Sequence, residues 1–107
     1  MPSRKTSGQR RTNLPRKADY TKTFVHDWER LSKAGKLDLH RLKEVMVLLI
    51  ADAGPLGAEW RDHALKGPEW KGCRECHVGG DFLLVYRIGE DGTVVFVMTG
   101  FHSDLFG

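Results

Sequence analysis

Hydrophobic residues recur at helical spacing between residues 19 and 50. The first apolar stripe occupies one helix face and consists of Tyr20, Phe24, Trp28 and Leu31. It predicts a helix that starts at Asp19 and ends at Gly35. The second stripe consists of Leu39, Leu42, Val45, Met46, Leu49 and Ile50. It predicts a second helix with Asp38 as its N-cap, so that the two helices form a hairpin.

The chain after residue 70 changes to strand-like hydrophobic runs. We predict strands over residues 72–78, 82–88 and 93–99, joined by glycine-containing turns at residues 79–80 and 89–92. The middle run is apolar almost throughout, which is typical of a central strand covered on both faces. Residues 53–68 break both patterns and predict a surface loop. Two helices packed on one face of a small antiparallel sheet make an α+β domain.

The basic charge of the chain is concentrated at its N-terminus. Of the 107 residues, the first 17 hold six Lys and Arg residues and none of the 14 acidic residues. Because this segment also has few apolar side chains, we predict a disordered basic tail over residues 1–17 and one folded domain over residues 18–107. The tail either attracts nucleic-acid phosphates or only increases solubility.

The size and the hydrophobic pattern exclude several classes of protein. No apolar run approaches the length of a membrane span, and the N-terminal segment lacks the apolar stretch of a secretory signal. A single small domain also leaves no room for a separate cofactor-binding domain. We therefore expect a soluble cytoplasmic protein without a cofactor.

The second half of the chain is rich in groups that transfer protons near neutral pH. Three short segments of this half pair an imidazole with a nearby carboxylate, and their candidate residues are His63, His77, Asp81 and His102. Histidine both accepts and donates a proton near neutrality, so this density favours acid–base chemistry. A single histidine would more often be a surface or packing residue, and the hypothesis depends on the group.

The segment from Cys73 to His77 has the C-x-x-C-H pattern of c-type haem attachment. Its position in a predicted strand and the lack of an export signal count against haem. A zinc site that uses both cysteines with His77 and either His63 or His102 lacks a second closely spaced ligand pair. A disulfide is disfavoured because residues i and i+3 of a strand lie on opposite faces. We interpret Cys73 and Cys76 as reduced, half-buried thiols.

Several segments, taken together, resemble YafQ-type toxins of the RelE/ParE superfamily. The matching segments are residues 60–67, 70–72, 74–78, 81–86 and 99–107. The resemblance covers residues 18–107 and implies a helix–helix–sheet fold. It further implies an mRNA interferase of a type II toxin–antitoxin pair, which enters the ribosomal A site and cleaves the message there. The implied partners are a cognate antitoxin, the ribosome and mRNA.

The resemblance assigns functional roles to His63, His77, Asp81, His102 and Phe106. Metal-free RNA cleavage needs a base for the 2′-hydroxyl and an acid for the departing 5′ oxygen. We expect His102 to be the general acid and Asp81 or His63 the base. His77 would position the phosphate, and Phe106 would stack on an unstacked base.

Met98 stands where the family usually has an arginine on the last strand, and a thioether cannot hold a phosphate. With simple hairpin registers, Arg74 and Arg87 share a sheet face with Met98, and Arg74 is the nearer. We therefore expect Arg74 to bind the phosphate, with Arg87 and Lys71 as further substrate-binding cations.

A second hypothesis is a RelE/ParE-fold toxin that has lost RNase activity and acts by binding a target such as DNA gyrase. Met98 favours this alternative, whereas the set of His63, His77, Asp81 and His102 favours the ribonuclease.

Overall fold

The computed structural model describes residues 15–35, 39–52 and 54–106. Its strands are β1 (Ala18–Tyr20), β2 (His63–Ala64), β3 (Cys73–Gly79), β4 (Phe82–Ile88) and β5 (Val94–Phe101). Its helices are α1 (Lys22–Ala34), α2 (Leu39–Ala51) and α3 (His102–Phe106), and single 3₁₀ turns span Ala58–Trp60 and Pro68–Trp70. None of the helices in these ranges is both long and apolar enough to cross a membrane.

The five strands form one mixed sheet in the order β1-β5-β4-β3-β2. β1 runs parallel to β5, and the other neighbours are antiparallel. β4 is central, and its consecutive residues Leu83, Leu84 and Val85 are all buried although they alternate between the two faces. The α+β class, the three-strand meander and the central position of β4 are confirmed.

The first helix begins later than the sequence predicts. Tyr20 was expected on the helix, but it belongs to β1 and lies opposite Phe96 of β5. Thr21 is the N-cap of α1, since its Oγ1 accepts a hydrogen bond from the backbone N–H of Phe24 at 3.0 Å and donates to the carbonyl of Val97 at 2.5 Å. The predicted end at Gly35 is confirmed, because this glycine adopts a left-handed conformation and donates its N–H to Leu31.

The second helix buries the predicted stripe. Leu42, Val45, Met46 and Leu49 are buried, and Leu39 and Ile50 pack at the edge of the core. The predicted cap, Asp38, lies outside the described residues. Both helices pack with Trp60 and the inward side of β3, β4 and β5 in one core.

Arg16, which belongs to the predicted tail, closes the C-terminal end of α2. Its backbone N–H donates to Ile50 at 2.7 Å, and its Nη1 donates to the carbonyl of Leu49 at 2.7 Å. Its Nη2 also forms an ion pair with Asp52 at 2.8 Å. A cation that satisfies the last carbonyls of a helix stabilises the helix end. The folded part of the chain therefore includes Arg16, and residues 1–14 of the predicted tail lie outside the described residues.

The predicted loop over residues 53–68 contains an unpredicted strand. β2 has only two residues, and His63 and Ala64 lie opposite Glu75 and Arg74 of β3. The 3₁₀ turn before it buries Trp60, whose ring lies 4.1 Å from the guanidinium carbon of Arg41. This short strand brings His63 to the edge of the sheet.

Candidate active site

His63, Glu75 and His77 meet on one face of the sheet. His63 lies opposite Glu75 in the β2–β3 pairing, and His77 follows Glu75 by two residues, so the three side chains share a face. The Nε2 atom of His63 is 3.3 Å from Oε1 of Glu75, and that of His77 is 3.6 Å from the same oxygen. The two imidazole centroids are 6.0 Å apart. The carboxylate therefore bridges the two rings.

The second nitrogen of each ring also faces an oxygen. Nδ1 of His63 lies 2.9 Å from the carbonyl of Arg61, and Nδ1 of His77 lies 3.3 Å from the carbonyl of Gly80. Both rings thus have an oxygen close to each of their two nitrogens, which fixes the orientation of each imidazole. The Glu75 side chain is 8% exposed and that of His63 is 51% exposed, so the cluster is open to solvent on the His63 side.

Glu75 is a member of this cluster that is not among the predicted site residues. The signal was present, because Glu75 and His77 are two residues apart in a predicted strand and must share a face. Glu75 stands in a strand next to the apolar residues Cys73 and Cys76. Because burying an unpaired carboxylate is costly, its presence there indicates a polar partner on the Glu75 face of the strand.

Asp81 and His102 meet at one end of the sheet through their backbones. The N–H of His102 donates to the carbonyl of Asp81 at 3.0 Å, which ties the start of α3 to the β3–β4 turn. Both side chains are exposed. The same turn carries Gly80, whose carbonyl faces His77, so one turn adjoins both His77 and His102.

Phe106 lies between two other rings. Its centroid is 5.3 Å from the ring of His102 and 5.2 Å from the ring of Trp70, with an edge-on geometry to the tryptophan. The last helix is thereby held against the 3₁₀ turn of Trp70 by aromatic contact. The structure thus groups Phe106 with His102, and it groups His63 with His77.

The expectation that Arg74 shares a face with Met98 is wrong. Met98 lies opposite Val85, which lies opposite Glu75, whereas Arg74 lies opposite Tyr86. The cause is the pairing of β3 with β4, whose register shifts between His77 and Gly79 and places Arg74 opposite Tyr86, on the other face from Arg87. A one-residue shift moves side chains to the other face.

Arg74 is instead bound to Asp62. Its Nε and Nη2 donate to Oδ2 of Asp62 at 3.0 and 2.8 Å. This hydrogen bond is the main reason that the pKa of Arg74 is raised. Arg87 lies opposite Cys73, two residues from Glu75 on β3, and so does share the Met98 face, where its side chain is exposed.

The two cysteines are free thiols on opposite faces of β3. Cys73 lies opposite Arg87, and Cys76 lies opposite Leu84 on the core side. Burial, followed by the nearby charges of Asp62 and Glu75, raises the pKa of Cys76 to about 12. Both thiols are buried, where half-buried side chains were expected.

Among the described residues, the side chains placed to hold a metal ion are those of His63, Glu75 and His77. Their ligand atoms lie within 4.8 Å of one another. Two imidazoles and a carboxylate are a donor set that suits zinc or copper. This set includes neither cysteine, so the C-x-x-C-H zinc site considered from the sequence is not assembled.

Comparison with known proteins gives consistent matches across the whole domain. Residues 16–107 match the family described as "Bacterial toxin of type II toxin-antitoxin system, YafQ". The chain is 38% identical over 94 residues to the mRNA interferase toxin YafQ of Escherichia coli K12. The aligned region covers 88% of this chain and 99% of that protein.

Solved structures agree with the sequence match. A chain in the crystal structure of the E. coli DinJ-YafQ toxin-antitoxin complex has a TM-score of 0.79 and 37% identity, covering 88% of this chain and 100% of that chain. A metal-bound toxin from Helicobacter pylori has a TM-score of 0.72 and 39% identity, covering 87% of this chain and 100% of that chain. The predicted resemblance and the RelE-like fold are confirmed. The chain belongs to the YafQ family of bacterial toxins of type II toxin–antitoxin systems.

Proposed function

We propose that this toxin is a ribosome-dependent endoribonuclease that cleaves mRNA in the A site by attack of the 2′-hydroxyl on the adjacent phosphate. The observation that carries the proposal is the pair of imidazoles, His63 and His77, that share the buried carboxylate of Glu75. A protein that acts only by binding has no need for a cluster of groups able to transfer protons. The E. coli relative's description as an mRNA interferase supports the same activity.

The roles follow from what each side chain can donate or accept. His63 is half exposed, and with Nδ1 donating to the carbonyl of Arg61 its Nε2 can accept a proton, so it is the proposed base for the 2′-hydroxyl, with the exposed carboxylate of Asp81 as the alternative. His77 positions the phosphate. His102 is the proposed acid that protonates the departing 5′ oxygen, and the adjacent ring of Phe106 stacks on an unpaired base.

Arg87 and Lys71 are the proposed phosphate-binding cations. Arg87 shares the sheet face of Met98 and Glu75, and Lys71 precedes the strand that carries Glu75. Arg74 is the weaker candidate, because two of its donors are directed to Asp62. Arg87 and Lys71 are both exposed. Exposed cations of this kind suit a substrate that the ribosome itself holds in place.

We propose that cleavage needs no metal ion. Two imidazoles and a carboxylate supply proton transfer by themselves, and an ion on His63, Glu75 and His77 would occupy ring nitrogens that the proposed proton transfer needs. The related toxin from H. pylori has a metal-bound crystal structure, so the effect of metal ions on cleavage should be tested directly. Cleavage should persist in EDTA and fall when zinc is added. Loss in EDTA with recovery on zinc addition would contradict metal-free chemistry.

The proposed protein partner is a cognate antitoxin, by analogy with the E. coli relative, which forms a complex with DinJ. The proposed substrate is mRNA on the ribosome, which places the activity in the cytoplasm. Co-expression with the antitoxin should relieve growth arrest.

The alternative is a toxin that acts without cleaving RNA, by binding a target such as DNA gyrase. The apolar Met98 on the active-site face favours it, since this position offers no cation. Expression of the native chain, His102→Ala and the control His26→Ala, an exposed histidine on α1, separates the two. Growth arrest with new codon-phased 5′ ends in primer extension, lost only in His102→Ala, supports the ribonuclease. Arrest without cuts in all three variants supports the alternative.

A further inference from the structure

Asp62 is held more firmly than a residue that only closes a turn. Its Oδ2 accepts two hydrogen bonds from Arg74, at 3.0 and 2.8 Å, and its Oδ1 accepts one from the hydroxyl of Tyr86 at 2.6 Å. The Asp62 side chain is 18% exposed, and Tyr86 is buried in the core. Charge-assisted hydrogen bonds are short and directional. The carboxylate is thus fixed against two neighbouring strands, β3 and β4.

The residue that follows Asp62 is His63. The strand that carries His63 has only two residues and pairs with one neighbour. Its backbone pairing with β3 therefore restrains the imidazole only weakly. Asp62 reaches Arg74 and Tyr86, which lie opposite each other on the core side, whereas His63 lies opposite Glu75 on the other face. Fixing one of two consecutive side chains therefore fixes the direction of the next.

The residue before Asp62 is also constrained. Arg61 has a φ of 49°, in the left-handed region that a residue with a side chain seldom adopts. In this conformation the carbonyl of Arg61 lies 2.9 Å from Nδ1 of His63. A strained conformation persists when its neighbours hold it, and Asp62 is the adjoining residue with three hydrogen bonds.

We infer that Asp62, with Arg74 and Tyr86, positions the imidazole of His63 for proton transfer, and that Arg74 serves the reaction through this network rather than by binding phosphate. The inference rests on the proposed ribonuclease activity for its kinetic test only. The network acts from the core side of the sheet, behind the active-site face. Its loss should let residues 61–63 sample other conformations and move Nε2 of His63 away from Glu75.

The test compares Asp62→Asn and Tyr86→Phe in the full-length chain. Asp62→Asn sets an amide N–H₂ against the guanidinium of Arg74, and Tyr86→Phe deletes one hydrogen bond while keeping the buried ring. Asp91→Asn is the matched control, because Asp91 accepts hydrogen bonds from Thr93 in an exposed turn on another hairpin. Thermal unfolding of each variant shows that the protein is folded.

Two readouts separate positioning from a structural role. In Asp62→Asn, the single-turnover cleavage rate should fall about tenfold to a hundredfold with KM unchanged, and Tyr86→Phe should change it less in the same direction. Added to His63→Ala, the Asp62→Asn change should have no further effect on the rate. In Asp62→Asn, the imidazole NMR signals of His63 should move to those of a ring whose N–H exchanges freely with water, while the signals of His26 stay in place.

An equal loss of rate in the His63→Ala background would overturn the inference, as would unchanged His63 signals in folded Asp62→Asn. If the native chain does not cleave RNA, the proposed function fails. The NMR comparison still decides whether Asp62 positions His63, because it needs no substrate.

Discussion

The backbone N–H of His102 donates to the carbonyl of Asp81 at 3.0 Å, and this bond joins the last helix to the β3–β4 turn. Two residues proposed to act in proton transfer are therefore connected by main-chain atoms and not by their side chains. The imidazole and the carboxylate remain exposed. Removing either side chain leaves the connection intact, so the chemistry of each can be tested without moving the other.

Asp81→Asn should leave stability unchanged, and its cleavage rate should decide whether Asp81 or His63 is the base. The amide keeps the shape of the side chain but cannot take a proton, and the backbone bond to His102 remains. If the carboxylate is the base, the single-turnover rate falls roughly a hundredfold, the usual contribution of one acid–base group. An unchanged rate together with an unchanged melting temperature would assign the base to His63.

Glu75→Gln should slow cleavage and weaken metal binding together. The single oxygen that faces both Nε2 atoms loses its negative charge, so neither ring is held by an ionic partner. We expect a loss in rate of about tenfold or more and a comparable loss in zinc affinity measured by calorimetry. Glu90→Gln, at an exposed turn, is the control and should change neither quantity. A drop in zinc affinity with full cleavage activity would separate the metal site from the catalytic cluster.

The long elements of the fold could be predicted from the sequence because their patterns are local. The stripe that buries Leu42, Val45 and Leu49 recurs at helical spacing, and the strands β3 and β4 are continuous apolar runs closed by glycine turns. The strands β1 and β2 have three and two residues, too few for a pattern to show. Their existence depends on pairing with distant strands, which local periodicity does not encode.

Most residues of the candidate site could be named from the sequence, but their arrangement in space could be predicted only in part. The resemblance named His63, His77 and His102, but the bridging role of Glu75 depends on the pairing of β2 with β3. The misplacement of Arg74 has a similar cause, since the register shift between His77 and Gly79 moves Arg74 to the sheet face opposite that of Arg87 and Met98. A sequence pattern gives the alternation within a strand and not the register between strands.

The buried thiol of Cys76 should make the protein lose stability at alkaline pH. Burial raises the pKa of this thiol from 9.0 to about 12, so above pH 9 the unfolded chain releases a proton that the folded chain keeps. The stabilising difference is present below pH 9 and is lost as the pH rises toward 12. One such group lowers the free energy of unfolding by about 1 kcal/mol between pH 9 and 10.

Urea unfolding of the native chain and of Cys76→Ala at these two pH values measures the contribution of the thiol. The pH-dependent loss should be smaller in the variant, although its cavity lowers stability at every pH. The buried hydroxyl of Tyr86, whose pKa is raised mainly by burial, adds to the loss in both proteins. An identical pH dependence in the two proteins would contradict the assignment to Cys76.

Removal of residues 1–14 should weaken RNA binding without changing the stability of the domain. The deletion takes away Arg4, Lys5, Arg10 and Arg11 but leaves Arg16, which caps α2. If the tail contacts phosphates, the slope of log affinity against log salt becomes shallower by roughly 0.7 for each lost contact with single-stranded RNA. The control is Arg16→Ala in the full-length chain, which keeps the backbone bond to Ile50 but should lower the melting temperature because the carbonyl of Leu49 and the carboxylate of Asp52 lose their partner. An unchanged salt slope after the deletion would show that the tail only increases solubility, and a large loss of stability would show that the domain extends further toward the N-terminus.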